Sequence, residues 1–248
     1  TRRAEAVIAG RRFGKYRILR ELGRGGMGVV YEAHDGQLAR SVALKVLGGG
    51  PEIQSEDRER FLREARICAQ LSHPGIVAVH EVGEEEGQPY FTMDLVRGCS
   101  LAEWAGRRPL ELRVSVQAIR EVAHAIAHAH GLGVVHRDLK PSNVLCEWPG
   151  GQVPEAAPGQ RPAFPRIMVT DFGLGKVMDS PAGSSLTVTG TVLGTPAYMP
   201  PEQAAGRTSD IAPWSDVYSL GAMLYELVTG SLPFHGSTPY EVCAKVLR

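Results

Sequence analysis

The chain has 248 residues, with 27 Lys and Arg against 27 Asp and Glu, so it can bury a sizeable core and carries no overall field toward nucleic acid or anionic lipid. No run of about 18 or more apolar residues occurs, and the Arg-rich start lacks the apolar core of a secretory signal, so no segment reads as a membrane span. Cys68, Cys99, Cys146 and Cys243 show no Cys-x-x-Cys spacing and read as free thiols in a reducing, cytoplasmic compartment. The first residue is Thr1 and not Met, which reads as a segment of something longer.

Residues 1–14 are basic and without a clear period, and are expected to be a lead-in outside the core. From Tyr16, the apolar residues Tyr16, Ile18 and Leu22 alternate with Arg and other polar residues, the mark of a half-buried strand, and a second strand is expected from about Val29. Between them Gly23, Gly25 and Gly28 form Gly-x-Gly-x-x-Gly, where missing Cβ atoms let backbone amides approach phosphate oxygens. The same spacing marks dinucleotide-binding folds, but there it opens a helix, whereas Val29, Val30 and Tyr31 favour a strand. Over 42–46 a third strand puts Ala43 and Lys45 on one face and Leu44 on the other. Ala43 leaves room for a flat base. Lys45, costly to bury alone, would reach phosphates. Residues 58–71 carry a helical stripe of Phe61, Leu62, Ala65, Cys68 and Leu71, with Glu64 beside it. His73-Pro74-Gly75 is expected to break that helix and open a strand through Val77. A further strand is expected over 89–96.

Val114, Ala118, Ile119, Val122 and Ile126 recur on one face of a helix over 114–130. His124 and His128 share the spacing of a zinc pair. With no carboxylate between them and no third ligand indicated, they read as structural or solvent-facing. Next comes His136-Arg137-Asp138-Leu139-Lys140-Pro141-Ser142-Asn143, a polar run held between Val134-Val135 and Val144-Leu145. Asp138 can accept a proton from a hydroxyl, Lys140 can face a transferring phosphoryl group, and the Asn143 amide oxygen can ligate magnesium. Residues 146–165, rich in Pro and Gly, read as a surface excursion between strands 144–145 and 167–169. Thr170-Asp171-Phe172-Gly173 supplies an acid for magnesium between an apolar anchor and a flexible joint. A Ser- and Thr-rich stretch then runs to Thr195-Pro196 and Pro200-Pro201-Glu202. A helix over 214–229 ends at Gly230, and a short one follows from Pro239.

In this order the motifs resemble those of Hanks-type serine/threonine protein kinases, in a form that looks bacterial, over about residues 13–248. The resemblance implies an α+β, two-lobed fold: a β-rich small lobe over 15–96, a mainly helical large lobe over 97–248, and ATP bound between them with magnesium. The same likeness pairs Lys45 with Glu64. It lines the adenine pocket with Leu22, Val30, Ala43, Met93, Asp94, Val96 and Leu145, and lets Asp216 hold the backbone of the catalytic loop. Lys140 and Thr195 fit the class that phosphorylates Ser or Thr of proteins. Arg137 would read phosphorylation of Thr187 or Thr189, with two copies meeting for autophosphorylation. The insertion over 146–165, Pro200 in place of the usual Ala, and the family helices not found before Arg248 are departures from the pattern. The chain could equally belong to the cytoplasmic part of a membrane-anchored receptor kinase.

Two rivals stay open at this stage. One is a pseudokinase, a nucleotide-binding or signalling scaffold, although such proteins usually lose the strand Lys, the catalytic Asp or the magnesium Asp, and Lys45, Asp138 and Asp171 are all present. The other is a small-molecule phosphotransferase of the same fold, which typically lacks the Pro-Glu corner at Glu202.

Overall fold

The computed structural model describes residues 10–25, 28–48, 55–107, 110–154, 163–172 and 196–248. Two compact units divide them. One takes the described residues up to Ser72 with Val77–Val96, and the other takes His73–Ile76 with the described residues from Arg97 onward.

The first unit is a six-stranded antiparallel sheet in the order β1-β2-β3-β4-β6-β5, with β1 Arg12–Phe13, β2 Tyr16–Gly25, β3 Gly28–Asp35, β4 Arg40–Leu47, β5 Val79–Glu85 and β6 Gln88–Met93. Because side chains alternate across a strand, one face collects Tyr16, Ile18, Ala33, Val42, Leu44, Val46 and Tyr90 into a buried cluster. Each large apolar side chain buried there contributes roughly 1.5–3 kcal/mol. Phe13 packs edge-on against Tyr90 at 5.4 Å, so the lead-in expected over 1–14 is corrected at its end: Arg12 and Phe13 join the sheet. The Tyr16–Leu22 alternation also fails to carry through. Register shifts at Ile18/Arg20 and Glu21/Gly23 turn the strand, and Leu22 is 39% exposed. Glu81 accepts hydrogen bonds from Lys15, from Tyr16 Oη (2.8 Å) and from Tyr90 Oη (2.9 Å). Burial works to raise its pKa, but these three donors outweigh burial and leave it below the usual carboxylate range.

Helix α1, Ser55–Cys68, buries Phe61, Ala65 and Cys68, the stripe its periodicity predicts, and Phe61 lies 5.4 Å from Phe91 of β6. The helix does break at His73–Gly75, in a turn, but the strand expected from there begins only at Val79, with Ile76 making an isolated parallel bridge to Val169. Ile76 N–H donates to His73 O, and Gly75 N–H donates to His73 Nδ1 at 3.0 Å.

In the second unit a three-stranded sheet runs β7-β8-β9, with β7 Gly98–Ser100, β8 Val144–Glu147 and β9 Arg166–Val169. Gly98 is needed there because a Cβ would stand 1.8 Å from Cys146 O. Cys146, expected in the excursion, belongs instead to β8 and is fully buried. Trp148 is buried too, edge-on to Trp104 at 5.2 Å with Nε1–H donating to Ala163 O, so the excursion is tied at both ends. Tryptophan in a Pro/Gly-rich stretch gave no period to read. Its packing partner Trp104 comes from helix α2, Leu101–Arg107.

The long helix α3, Leu112–Gly131, buries Ala118, Ile119, Val122, Ala125, Ile126 and Ala129. His128 stacks on His73 at 5.0 Å. Helix α4, Pro201–Ala204, α5, Pro213–Thr229, and α6, Pro239–Val246, complete the unit. Gly230 closes α5 in the left-handed conformation at φ 73°, its N–H donating to Glu226 O. Among the described residues no helix is long and apolar enough to cross a membrane.

The His73 pKa is lowered by burial first and then by His128 and His124, so this ring is held neutral in the fold. A histidine that binds its proton more weakly when folded gives stability that is complete above its unfolded pKa of 6.5 and is lost as pH falls through the folded value. Thermal melts are therefore expected to drop on acidification below that pH, and less steeply in His73→Asn protein. Equal slopes in the two proteins would contradict the reading.

Candidate functional site

Apart from Leu145, the residues expected to hold a nucleotide belong to the first unit. In the β3–β4–β6 ladder Val30 stands opposite Lys45, Ala43 opposite Met93, and Lys45 opposite Phe91. Cross-strand partners share a face, so these residues line the side of the sheet away from the Tyr16–Leu44 core. Lys45 is only 8% exposed, with Nζ 5.8 Å from the centroid of Phe91, an attraction that offsets part of the cost of burying its stem. Gly23 pairs with Val30 and Gly25 with Gly28 across the strand turn. Gly28 has φ 148°, and a Cβ on it would fall 2.0 Å from Val46 O, so a side chain there would displace β4. Asp94 N–H donates to Ala78 O and its carboxylate meets His80 Nε2 at 2.9 Å. Asp94 therefore has only its carbonyl for a base, and the strand expected to reach Val96 stops at Met93. Glu64 lies on α1, and its expected pairing with Lys45 falls outside the described residues, as do Thr187 and Thr189.

Residues expected to act on the transferring group belong to the second unit. Asp138 and Lys140 are joined, Lys140 Nζ donating to Asp138 Oδ2 at 2.9 Å. Asn143 closes the loop, Nδ2 donating to Asp138 O at 2.8 Å and lying 3.4 Å from Oδ2, with Asn143 itself on the 3-10 turn Pro141–Asn143. Proline at the start of that turn presets its backbone. Leu145 follows on β8 opposite Met168. Thr170 N–H donates to Asn143 O at 3.0 Å, which brings Asp171 beside the loop across the long sequence gap.

Two non-glycine residues of this site adopt left-handed backbone, Arg137 at φ 65° and Asp171 at φ 58°. Such conformations persist only where the surroundings overdetermine them. For Arg137 the surroundings are visible. Asp216 of α5 is 1% exposed and accepts from His136 N–H (2.8 Å), Arg137 N–H (2.9 Å) and His130 Nε2 (2.7 Å). His136 is wholly buried, tilted against Phe172 at 4.7 Å, with Nε2–H donating to Thr170 O and Nδ1 facing Asp138 N–H. Burial lowers its pKa, so the ring stays neutral and serves as a fixed hydrogen-bonding strut. Sequence reasoning found Asp216 through its motif but not His130 or Gln203, whose Nε2–H donates to Arg137 O at 3.1 Å. Each lies dozens of residues from its partner, with no local pattern to mark it.

The donor set suits magnesium. The two Nδ2 contacts of Asn143 turn its amide so that the oxygen is the end not engaged with Asp138, and a hard cation takes such an oxygen with a carboxylate and phosphate oxygens. Among the described residues no group of three or more His, Cys, Asp or Glu gathers as a self-sufficient metal site. Asn143 and Asp171 are the residues that would hold it.

A glycine turn and buried lysine suited to phosphate, and a carboxylate poised beside a lysine and an amide, belong together in enzymes of phosphoryl transfer. Residues 16–248 match the protein kinase domain, and the chain belongs to that family. It is 42% identical over 95% of its length to the serine/threonine-protein kinase PknA of Mycobacterium tuberculosis, and 37% identical over 98% to PrkC of Bacillus subtilis. The match spans 51% of the first relative and 35% of the second. The crystal structure of the PknI kinase domain of M. tuberculosis aligns with a TM-score of 0.68 at 31% identity, covering 93% of this chain and 78% of that one. The two-lobed kinase fold and its bacterial Hanks-type character follow.

Proposed function

We propose that this chain transfers the γ-phosphoryl group of ATP to Ser or Thr hydroxyls of proteins, with magnesium as the metal. The observation that carries the reading is the Asp138 carboxylate, held by Lys140 Nζ and Asn143 on a loop clamped to Asp216. Asp138 draws the proton from the acceptor hydroxyl, Lys140 steadies the charge of the transferring group, and Lys45 with the glycine turn orients the phosphates. Asn143 and Asp171 would hold magnesium, which would supply charge neutralisation on the phosphates. Incubation with labelled ATP, magnesium and a general basic protein substrate, followed by phosphosite mapping, tests this. Label on Ser or Thr supports the reading; nucleotide binding without any transfer would replace it with a nucleotide-binding scaffold.

The segment between Phe172 and Pro196 carries Thr187 and Thr189 as the sites of control. A phosphothreonine adds about −1.5 to −2 charge and strong acceptors for Arg137, enough to order a loop. One copy would modify another. Mass spectrometry after incubation with ATP is expected to find phosphate on Thr187 or Thr189 in wild type and none in Asp138→Asn protein. The Thr187→Ala/Thr189→Ala double variant is expected to lose most activity, and full activity there would remove the switch while leaving the enzyme reading intact.

A further inference from the structure

We infer that Gln203 is a positioning residue for Asp138, acting through the strained peptide of Arg137. This rests on the kinase reading above. Asp138 N–H donates to His136 O at 2.9 Å, a two-residue closure around Arg137 at φ 65°. That is a γ-turn of the rarer hand, disfavoured for a residue with a Cβ. Its two sides are pinned from different elements. On the amide side, Asp216 of α5 accepts from His136 N–H and Arg137 N–H. On the carbonyl side, Gln203 of α4 donates Nε2–H to Arg137 O at 3.1 Å.

The Arg137–Asp138 peptide is thus bonded at both of its polar atoms, and its plane sets where the Asp138 carboxylate points. Asp216 and the bonds from Asp138 N–H to His136 hold the amide edge of that plane and leave its Arg137 carbonyl edge to Gln203, on the side where relaxation leads away from positive φ. Gln203 closes this route. α4 can hold it there because the short helix is itself fastened: Ser215 Oγ of α5 donates to Glu202 Oε1 at 2.5 Å, and Gln203 N–H donates to Pro200 O. The amide is chosen by the chemistry of the partner. A carbonyl oxygen needs a donor, and the neighbouring carboxylate of Glu202 could not serve. The titratable groups lining the same small cavity are Arg137, Asp138, Lys140 and Tyr198.

Two variants test the assignment. Gln203→Leu keeps the bulk and removes the donor. Its kcat is expected to fall about tenfold, with KM for ATP and for a peptide acceptor within about twofold of wild type. Hydrogen exchange at the Asp138 amide should accelerate by a similar factor while α5 keeps its protection. Gln203→Glu carries an ionised carboxylate at neutral pH and cannot donate, so it is expected to show a kcat deficit at least as large as that of Gln203→Leu protein between about pH 7 and about pH 8. Wild-type kcat and exchange in Gln203→Leu protein would overturn the assignment. So would exchange rising equally throughout α5, or wild-type kcat in Gln203→Glu protein at neutral pH. Absence of turnover in the wild type would sink the kinase reading by itself, since Asp138 exchange is read without turnover.

Discussion

Asp138→Asn protein is expected to bind ATP with magnesium within about twofold of wild type and to transfer phosphate about a thousandfold more slowly. Asparagine keeps the shape of the side chain and the backbone carbonyl that Asn143 Nδ2 holds at 2.8 Å, so the loop has no steric reason to move. What disappears is the acceptor for the hydroxyl proton, together with the charge that positions Lys140 Nζ. General base removal of this kind typically removes about two to four powers of ten in rate. Calorimetric titration with nucleotide and a single-turnover transfer assay on the same preparation separate the two effects. Turnover near the wild-type rate would sink the role of Asp138, and loss of nucleotide binding alongside turnover would mean that the residue holds the nucleotide instead.

Asp216→Ala is expected to damage stability and activity together. The carboxylate is buried and accepts from three donors, two of them backbone N–H groups of the catalytic loop. Alanine leaves these N–H groups without an acceptor in a site closed to water, at about 1–3 kcal/mol for each. Against a total stability of about 5–15 kcal/mol this is a large share, and the melting temperature is expected to fall by roughly 10 °C. Turnover should fall further than stability explains, since Arg137 can then leave its left-handed conformation and Asp138 moves with it. Asp216→Asn retains one acceptor oxygen and is expected to fall between wild type and Asp216→Ala in both measurements. A melting temperature unchanged in Asp216→Ala protein would contradict the clamp.

These two expectations rest on different kinds of knowledge. The grouping of Asp138 with Lys140 and Asn143 was legible because it is packed into eight consecutive residues whose order resembles one family's motif, and their hydrogen bonds agree with it. The strand face of Ala43 and Lys45 was legible for a similar reason, since a period of two needs no partner to be read. The helices over 112–131 and 213–229 show their buried faces in the same way. Where two periods or two functions compete, the reading failed locally. Leu22 kept the strand alternation in sequence but lost it to bulges that only pairing with β3 imposes. Trp148 sat in a stretch of Pro and Gly whose composition announces a loop, while Trp104, more than forty residues earlier, made it part of the interior.

What the amino-acid sequence determined by itself is therefore the class of fold and the order of its motifs: a Gly-x-Gly-x-x-Gly run, a strand lysine, the run from His136 to Asn143 and the Asp-Phe-Gly at Asp171, in the order of the protein kinase family. What only the tertiary structure decided is how those groups are held. His130, Gln203 and Asp216 reach the catalytic loop from three helices, across 86, 66 and 79 residues respectively for the bonds His130–Asp216, Gln203–Arg137 and Asp216–Arg137. Hydrogen bonds of that range leave no periodic trace, because each depends on one donor and one acceptor meeting after every intervening element has packed. The positive φ of Arg137 is likewise invisible in residue type, since an arginine does not prefer it and the bonds to Asp216 and Gln203 hold it there.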